Sequence, residues 1–188
     1  YTVVNHDLKN PIITRYIRIN PLTWQSYIAL RAGSTAVGKV IEIATFILQY
    51  NKCNHKITAF SYDSSLLNCS ILFAGFETPK VVCAIPLGLE NGQIPDKDIV
   101  ASSQYNQYYG PERARLRKVS GGNFVGGWSP KSSNKGEWIY FDLGKNTKVT
   151  RMALQGRDNA NWWTTSYSLS YRVDGGSYES YQNDQVWN

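Results

Sequence analysis

Three tyrosines, Tyr105, Tyr108 and Tyr109, fall inside the stretch Tyr105-Asn-Gln-Tyr-Tyr-Gly-Pro, whose other residues favour turns. A loop that exposes several rings to water is poised to bind something. Tyrosine suits a boundary between water and an apolar phase, with an apolar body and a polar tip. A second apolar pair, Phe124 and Val125, is flanked by glycines in Gly121-Gly-Asn-Phe-Val-Gly-Gly. Trp162 and Trp163 follow the polar run Arg157-Asp-Asn-Ala-Asn. Such residues offer ring insertion, stacking and shallow burial rather than bond making. Arg113, Arg115 and Arg117 recur with a period of two, so on a strand they share one face and Ala114 and Leu116 the other. That row reads as a solvated outer face or as a basic patch for anionic lipid or glycan.

Catalytic and metal chemistry find little support. Only two histidines exist, His6 and His55, and no Gly-x-Ser-x-Gly elbow accompanies them. Asp158, Asp174 and Asp184 sit among turn formers, where a short carboxylate caps the backbone. Cys53, Cys69 and Cys83 match no zinc spacing, and an odd count leaves at least one thiol without a partner in this chain. Asn68-Cys69-Ser70 fits the N-glycosylation triplet, a pattern that also arises by chance. The formal charge of +6 is spread along the chain rather than gathered in a tail, which argues against a nucleic-acid partner.

The elements that must hold these loops read as strands. Aromatics reach 13%, with 13 tyrosines and 6 tryptophans, and together with Val, Ile and Thr they favour pleated, half-buried surfaces. No apolar run approaches a membrane span; the best, Val40 to Leu48, is short and carries Glu42. The first residues, Tyr1-Thr-Val-Val, lack the basic start and long apolar stretch of a signal peptide, as in a chain that has lost a leader or is a fragment. Thr2 to Val4 and Ile12 to Ile19 read as two strands, the second bracketed by Pro11 and Pro21, and Tyr27 to Leu30 as the start of another. Lys39 to Gln49 reads equally as a buried strand or a short helix, and Lys56 to Tyr62 and Ser70 to Phe76 as β segments. Beyond residue 83, turn signals alternate with short β runs, the pattern of a sandwich or barrel. Glu137 to Leu143 sets Trp138, Tyr140 and Asp142 against Ile139, Phe141 and Leu143; Thr147 to Leu154 and Ser166 to Val173 follow. Asp174-Gly-Gly predicts a hairpin into Tyr178 to Tyr181.

These runs carry a resemblance. Cys83-Ala-Ile-Pro-Leu-Gly-Leu-Glu-Asn-Gly-Gln-Ile-Pro-Asp, Ala101-Ser-Ser-Gln-Tyr, Ala114-Arg-Leu, Gly127-Trp-Ser-Pro, Glu137-Trp-Ile-Tyr-Phe-Asp-Leu-Gly, Gln155-Gly-Arg and Thr165-Ser-Tyr-Ser-Leu-Ser-Tyr resemble, in order and spacing, the opening two-thirds of a discoidin domain. Thr2 to Trp24 resembles the closing third of the same domain. The resemblance implies an all-β, jelly-roll sandwich of the galactose-binding-like kind, with residues 1–33 as closing strands, 34–82 as an unassigned linker or β-rich insert, and 83–188 as the opening two-thirds. The order fits a window cut from tandem repeats, the expected origin because tandem copies are common in the family, or a circular permutant. Near-complete strand sets would otherwise leave unpaired edges, so residues 1–33 are able to dock as the missing strands. The family's terminal disulfide, which would use Cys83, lacks its partner here, since Ile28-Ala-Leu-Arg-Ala-Gly33 runs on without a cysteine. Residues 34–78 resemble nothing in the family and read as a spacer hairpin closed by Cys53 and Cys69, or as inserted sequence with no selected structure.

The resemblance further implies a binding module, not an enzyme, working outside the cell. Loops matching 104–110, 121–127 and 157–162 hold the ligand in the family, which implicates Tyr105, Tyr108, Tyr109, Phe124, Ser129, Arg157, Asn159 and Trp162. The first expectation is anionic phospholipid or another cell-surface ligand, with rings inserting shallowly and Arg113, Arg115 and Arg117 adding charge. The alternative is a lectin-like or peptide-binding cleft at the same loops, with Tyr105, Tyr109 and Ser129 lining it. A third is an accessory domain of an enzyme. Tyr105 reads equally as core beneath its loop, whereas Trp128, Trp138 and Trp163 read as core. No cofactor is expected, although Asp96 and Asp98 lie where some relatives hold a structural calcium ion.

Overall fold

The computed structural model describes residues 2–37, 41–42, 49–51, 56–58, 69–72 and 80–188, with side chains for 2–36 and 85–188. It is all-β. The strands are β1 (Val4–Gln25), β2 (Arg31–Val37), β3 (Ile41–Glu42), β4 (Gln49–Asn51), β5 (Lys56–Thr58), β6 (Cys69–Leu72), β7 (Lys80–Pro86), β8 (Ile99–Ala101), β9 (Ile139–Gln155), β10 (Trp163–Arg172) and β11 (Glu179–Ser180). Helical structure among the described residues is confined to two 3-10 turns, Asp96–Asp98 and Pro111–Ala114. Two compact units form: Tyr1–Ala36 with Pro86–Asn188, and Val37–Ile85. In the second, Ile41 lies opposite Val81, Cys69 opposite Cys83, and Tyr50 opposite Ile57, all antiparallel. Most of Lys39 to Gln49, all of Cys53, and the side chains of Cys69 and Cys83 lie outside the described residues, and with them the proposed Cys53–Cys69 closure.

In the first unit β1 lies between β9 and β10, antiparallel to both. The expected pair of short strands is one strand of 22 residues that runs through both prolines. Its ladder to β9 breaks between Asp7 and Ile12, where Pro11 sits, and its ladder to β10 breaks just after Pro21. A proline lacks the N–H a regular ladder needs, so it is tolerated where the ladder is already interrupted. The two runs expected at 137–143 and 147–154 likewise join as β9. The breaks divide the pairing into two blocks. One unites β11, β10, the second half of β1, the first half of β9 and β8; the other unites the first half of β1, the second half of β9 and β2.

Both blocks bury apolar side chains in one core. Ile17, Ile19, Ile139, Phe141 and Leu169 come from the first, and Leu8, Ile12, Ala32, Val149, Met152 and Leu154 from the second. This is a sandwich: two sheet layers share long bent strands over a single interior. The Asp174 hairpin forms as expected, with Tyr171 opposite Glu179. Tyr27 to Leu30 starts no strand of its own; Ser26 takes a positive φ of 59° and the chain turns before β2. Trp128 is fully buried, as expected, and its Nε1 donates to the Ser103 carbonyl at 2.9 Å. Trp138 is not core: it is half-buried on the outward face with Tyr140, because the alternation that buries Ile139 and Phe141 turns its own side chain away. Trp163 is half-buried as well.

Candidate functional site: an aromatic loop cluster

The loops 104–110, 118–127 and 156–162 meet at one end of the first unit because buried polar groups tie their bases together. Arg31, buried on β2, donates from Nε to the Gly156 carbonyl and from Nη1 to the Lys118 carbonyl, both at 2.8 Å. Burial lowers its pKa, and the nearby Asp158 charge partly offsets this. The Asp158 carboxylate accepts from the Ser120 amide at 2.6 Å, the Ser120 hydroxyl at 2.7 Å and the Gly126 amide at 3.2 Å. Burial alone would raise its pKa; the hydrogen bonds from Ser120 and Gly126, helped by Arg31, outweigh burial and hold it below the ordinary carboxylate value. Gly126 is required there, since an added Cβ would collide with the Lys118 carbonyl and the Asp158 carboxyl.

On this frame the rings form a chain of contacts. Tyr27 packs on Trp162 at 4.5 Å between centroids, Trp162 stacks on Tyr109 at 6.2 Å, and Tyr109 meets Tyr105 edge-on at 5.1 Å. The Arg157 guanidinium lies 4.6 Å from the Trp162 ring and 5.2 Å from that of Tyr109. It also donates to the Tyr109 hydroxyl at 3.3 Å and to Asn159 Oδ1 at 2.9 Å. Arg157 and Asn159 are therefore committed to the loop's own structure. In the second loop Phe124 meets Tyr108 edge-on at 5.6 Å. Arg113 donates to the Val125 and Val119 carbonyls at 2.6 and 2.8 Å and lies 5.5 Å from the Phe124 ring.

The side chains that project are a subset of those expected. Tyr105 is 49% exposed and Phe124 46%, so the reading of Tyr105 as core is overturned. Tyr108, Tyr109 and Trp162 are half-buried beneath or between them. Val125 is buried, because its amide donates to the Tyr108 carbonyl and turns the side chain inward. Ser129 is buried too; its amide donates to the Tyr109 carbonyl, its carbonyl accepts from the Tyr105 amide, and its hydroxyl has no hydrogen-bond partner. Two projecting residues escaped the sequence reading: Tyr27, 47% exposed, and Val119, 66% exposed. Tyr27 lies 78 residues before Tyr105, and only the fold brings them together. A β-branched residue beside Ser120-Gly-Gly was the available signal for Val119.

The basic row does not exist. Pro111–Ala114 is a 3-10 turn and Arg117 takes a positive φ of 58°, so no strand aligns the three arginines. Arg115 is buried, donating to the Leu89 carbonyl at 2.9 Å, the Ile94 carbonyl at 2.8 Å and the Asp96 carboxylate. Arg117 pairs with Glu90 at 2.5 Å. Asp96 is thus engaged by Arg115, and the described residues contain no group of three or more His, Cys, Asp or Glu side chains able to hold a metal.

The fold is a two-layer sandwich with aromatic loops gathered at one end of the first unit, and part of its sequence matches a known family. Residues 98–188 match the F5/8 type C domain, so the chain carries sequence of this discoidin family. Among curated proteins it is 26% identical over 185 residues to the venom prothrombin activator pseutarin-C non-catalytic subunit of Pseudonaja textilis. It is 24% identical over 182 residues to coagulation factor V of the same snake. Each alignment covers 96% of this chain and 10% of the relative. Coagulation factor V of Mus musculus is 36% identical over 106 residues, 53% of this chain and 5% of the relative. The chain therefore spans about a tenth or less of the relatives it matches. No solved structure matches it.

Proposed function

We propose that this chain is an extracellular recognition module that binds anionic phospholipid through the projecting side chains Tyr105, Val119, Phe124 and Tyr27. One observation carries the reading: these four are exposed at the tips of loops whose bases are fastened by Arg31, Arg113 and Asp158. Rings and a valine held outward on a rigid frame enter an interfacial layer without first ordering themselves, so little conformational entropy opposes binding. Tyr27 and Tyr105 add polar tips suited to the headgroup level. The net charge of +6 adds attraction to anionic headgroups. The matched relatives include a subunit named as non-catalytic, which favours binding over catalysis here. Contact between the Tyr105 and Tyr109 rings at 5.1 Å leaves no slot between them, which favours a surface over the peptide or sugar cleft.

Co-sedimentation with phosphatidylserine and phosphatidylcholine vesicles at low and high salt tests the reading. Selective binding to phosphatidylserine that survives high salt is expected. Binding to neither lipid sinks it and turns attention to a protein or glycan ligand at the same loops.

A further inference from the structure

Away from the loops, the outward face of the β1, β9 and β10 layer carries a second concentration of aromatic and cationic side chains. Tyr16 and Arg18 point outward because Ile17 and Ile19 between them fill the core. The register sets Tyr16 beside Arg172 and Asp142, and Arg18 beside Ser170 and Tyr140. Trp138 stacks on Tyr140 at 5.7 Å with 16° between planes, and Tyr140 meets Tyr16 edge-on at 6.0 Å. Tyr178, beyond the Asp174 turn, folds over this row. Its ring centre lies 4.2 Å from the Arg18 guanidinium and 5.2 Å from that of Arg172, while Arg172 lies 3.9 Å over Tyr16.

The charges on this face do not balance. Its carboxylates, Asp142 and Asp174, are both taken by Arg15 at 2.9 Å. Among the described residues neither Arg18 nor Arg172 forms an ion pair; Arg18 Nη2 only approaches the Ser170 hydroxyl at 3.5 Å. The Nε of each is buried with no hydrogen-bond partner. Two guanidinium groups that share one tyrosine ring repel each other, and a ring quadrupole only partly offsets the loss of a counterion. An anion bound between them removes the repulsion and uses donors whose fork geometry fits sulfate or carboxylate. The neighbouring aromatic row supplies flat apolar surface of the kind a sugar ring covers. An acidic peptide would satisfy the arginines but leave that row unused.

We propose that this face binds a sulfated oligosaccharide, with Arg18 and Arg172 holding sulfate and Trp138 and Tyr140 lying under a sugar ring. The site shares no residue with the loop cluster, so one molecule is able to engage lipid and glycan at different places.

The test is calorimetric titration of the full chain with a heparin-derived octasaccharide and its desulfated counterpart. Phosphatidylserine vesicle binding serves as the control for the other site. The wild type is expected to bind the sulfated probe only. The double variant Arg18→Gln/Arg172→Gln should bind it at least about tenfold more weakly, the effect of removing charge-assisted hydrogen bonds, with vesicle binding unchanged at high salt, where the contribution of net charge is screened. Trp138→Ala keeps every charge and should also weaken binding severalfold. Three results overturn the proposal: no wild-type binding, equal binding of the desulfated probe, or undiminished binding by the double variant, which would assign the affinity to general positive charge. Should the double variant lose its folded circular dichroism, Trp138→Ala decides, and an unchanged affinity there refutes the site.

Discussion

Replacing Phe124 by alanine gives the sharpest test of the loop-tip mechanism. A phenylalanine side chain buries about 150–250 Å² when fully covered. With Phe124 46% exposed, about 90 Å² remains for a lipid phase to cover. At about 25 cal/mol per Å² this is ~2 kcal/mol, or about a 30-fold loss of affinity for vesicles. The loss should persist near 1 M salt, where the screening length is only about 3 Å, because the term is apolar rather than Coulombic. The assay is vesicle co-sedimentation across a lipid titration, run beside thermal melting. The variant also gives up the edge contact with Tyr108 and the Arg113 cation–π contact, so a fall in melting temperature of a few degrees is expected. A loss of affinity below about threefold, or one that vanishes at high salt, would refute the shallow-insertion account.

Trp128→Ala should destabilise the chain by about 3–5 kcal/mol in denaturant unfolding, because the ring is fully buried and its indole N–H is satisfied by Ser103. Asp158 has a depressed folded pKa, so its contribution is fully present above the ordinary carboxylate value and is lost as pH falls through the folded one. The acid limb of a pH–stability curve should therefore flatten in Asp158→Asn, and an unchanged limb would contradict the hydrogen-bond assignment. Burial lowers the pKa of His6, which meets the Tyr167 ring edge-on at 5.6 Å. Its protonated form is favoured in the unfolded chain, so stability is full above about pH 6.5 and declines below it toward the folded pKa. In His6→Gln this decline should disappear from melting curves taken between about pH 5 and 7.

The composition and alternation determined the all-β class. Ile17 and Ile19 against Tyr16 and Arg18, and Ile139 and Phe141 against Trp138 and Tyr140, already sort buried from outward residues, since a strand's period of two is local. Turn formers, glycines and polar neighbours marked Tyr105, Tyr108, Tyr109, Phe124 and Trp162 as loop aromatics worth attention. The period of two failed where geometry departs from a regular strand. Arg113, Arg115 and Arg117 looked like one face, but a 3-10 turn and a positive φ send each to a different partner. Which rings project was decided by tertiary contacts: Tyr109 is pinned between Tyr105 and Trp162, and Val125 is turned in by its amide's bond to Tyr108. Tyr27 joined the cluster, and Arg31 its foundation, only because the strands on either side of them pair with β9 and β10. Local sequence encodes a residue's periodicity and turn chemistry; partners distant in the chain exist only once long-range pairing has placed them.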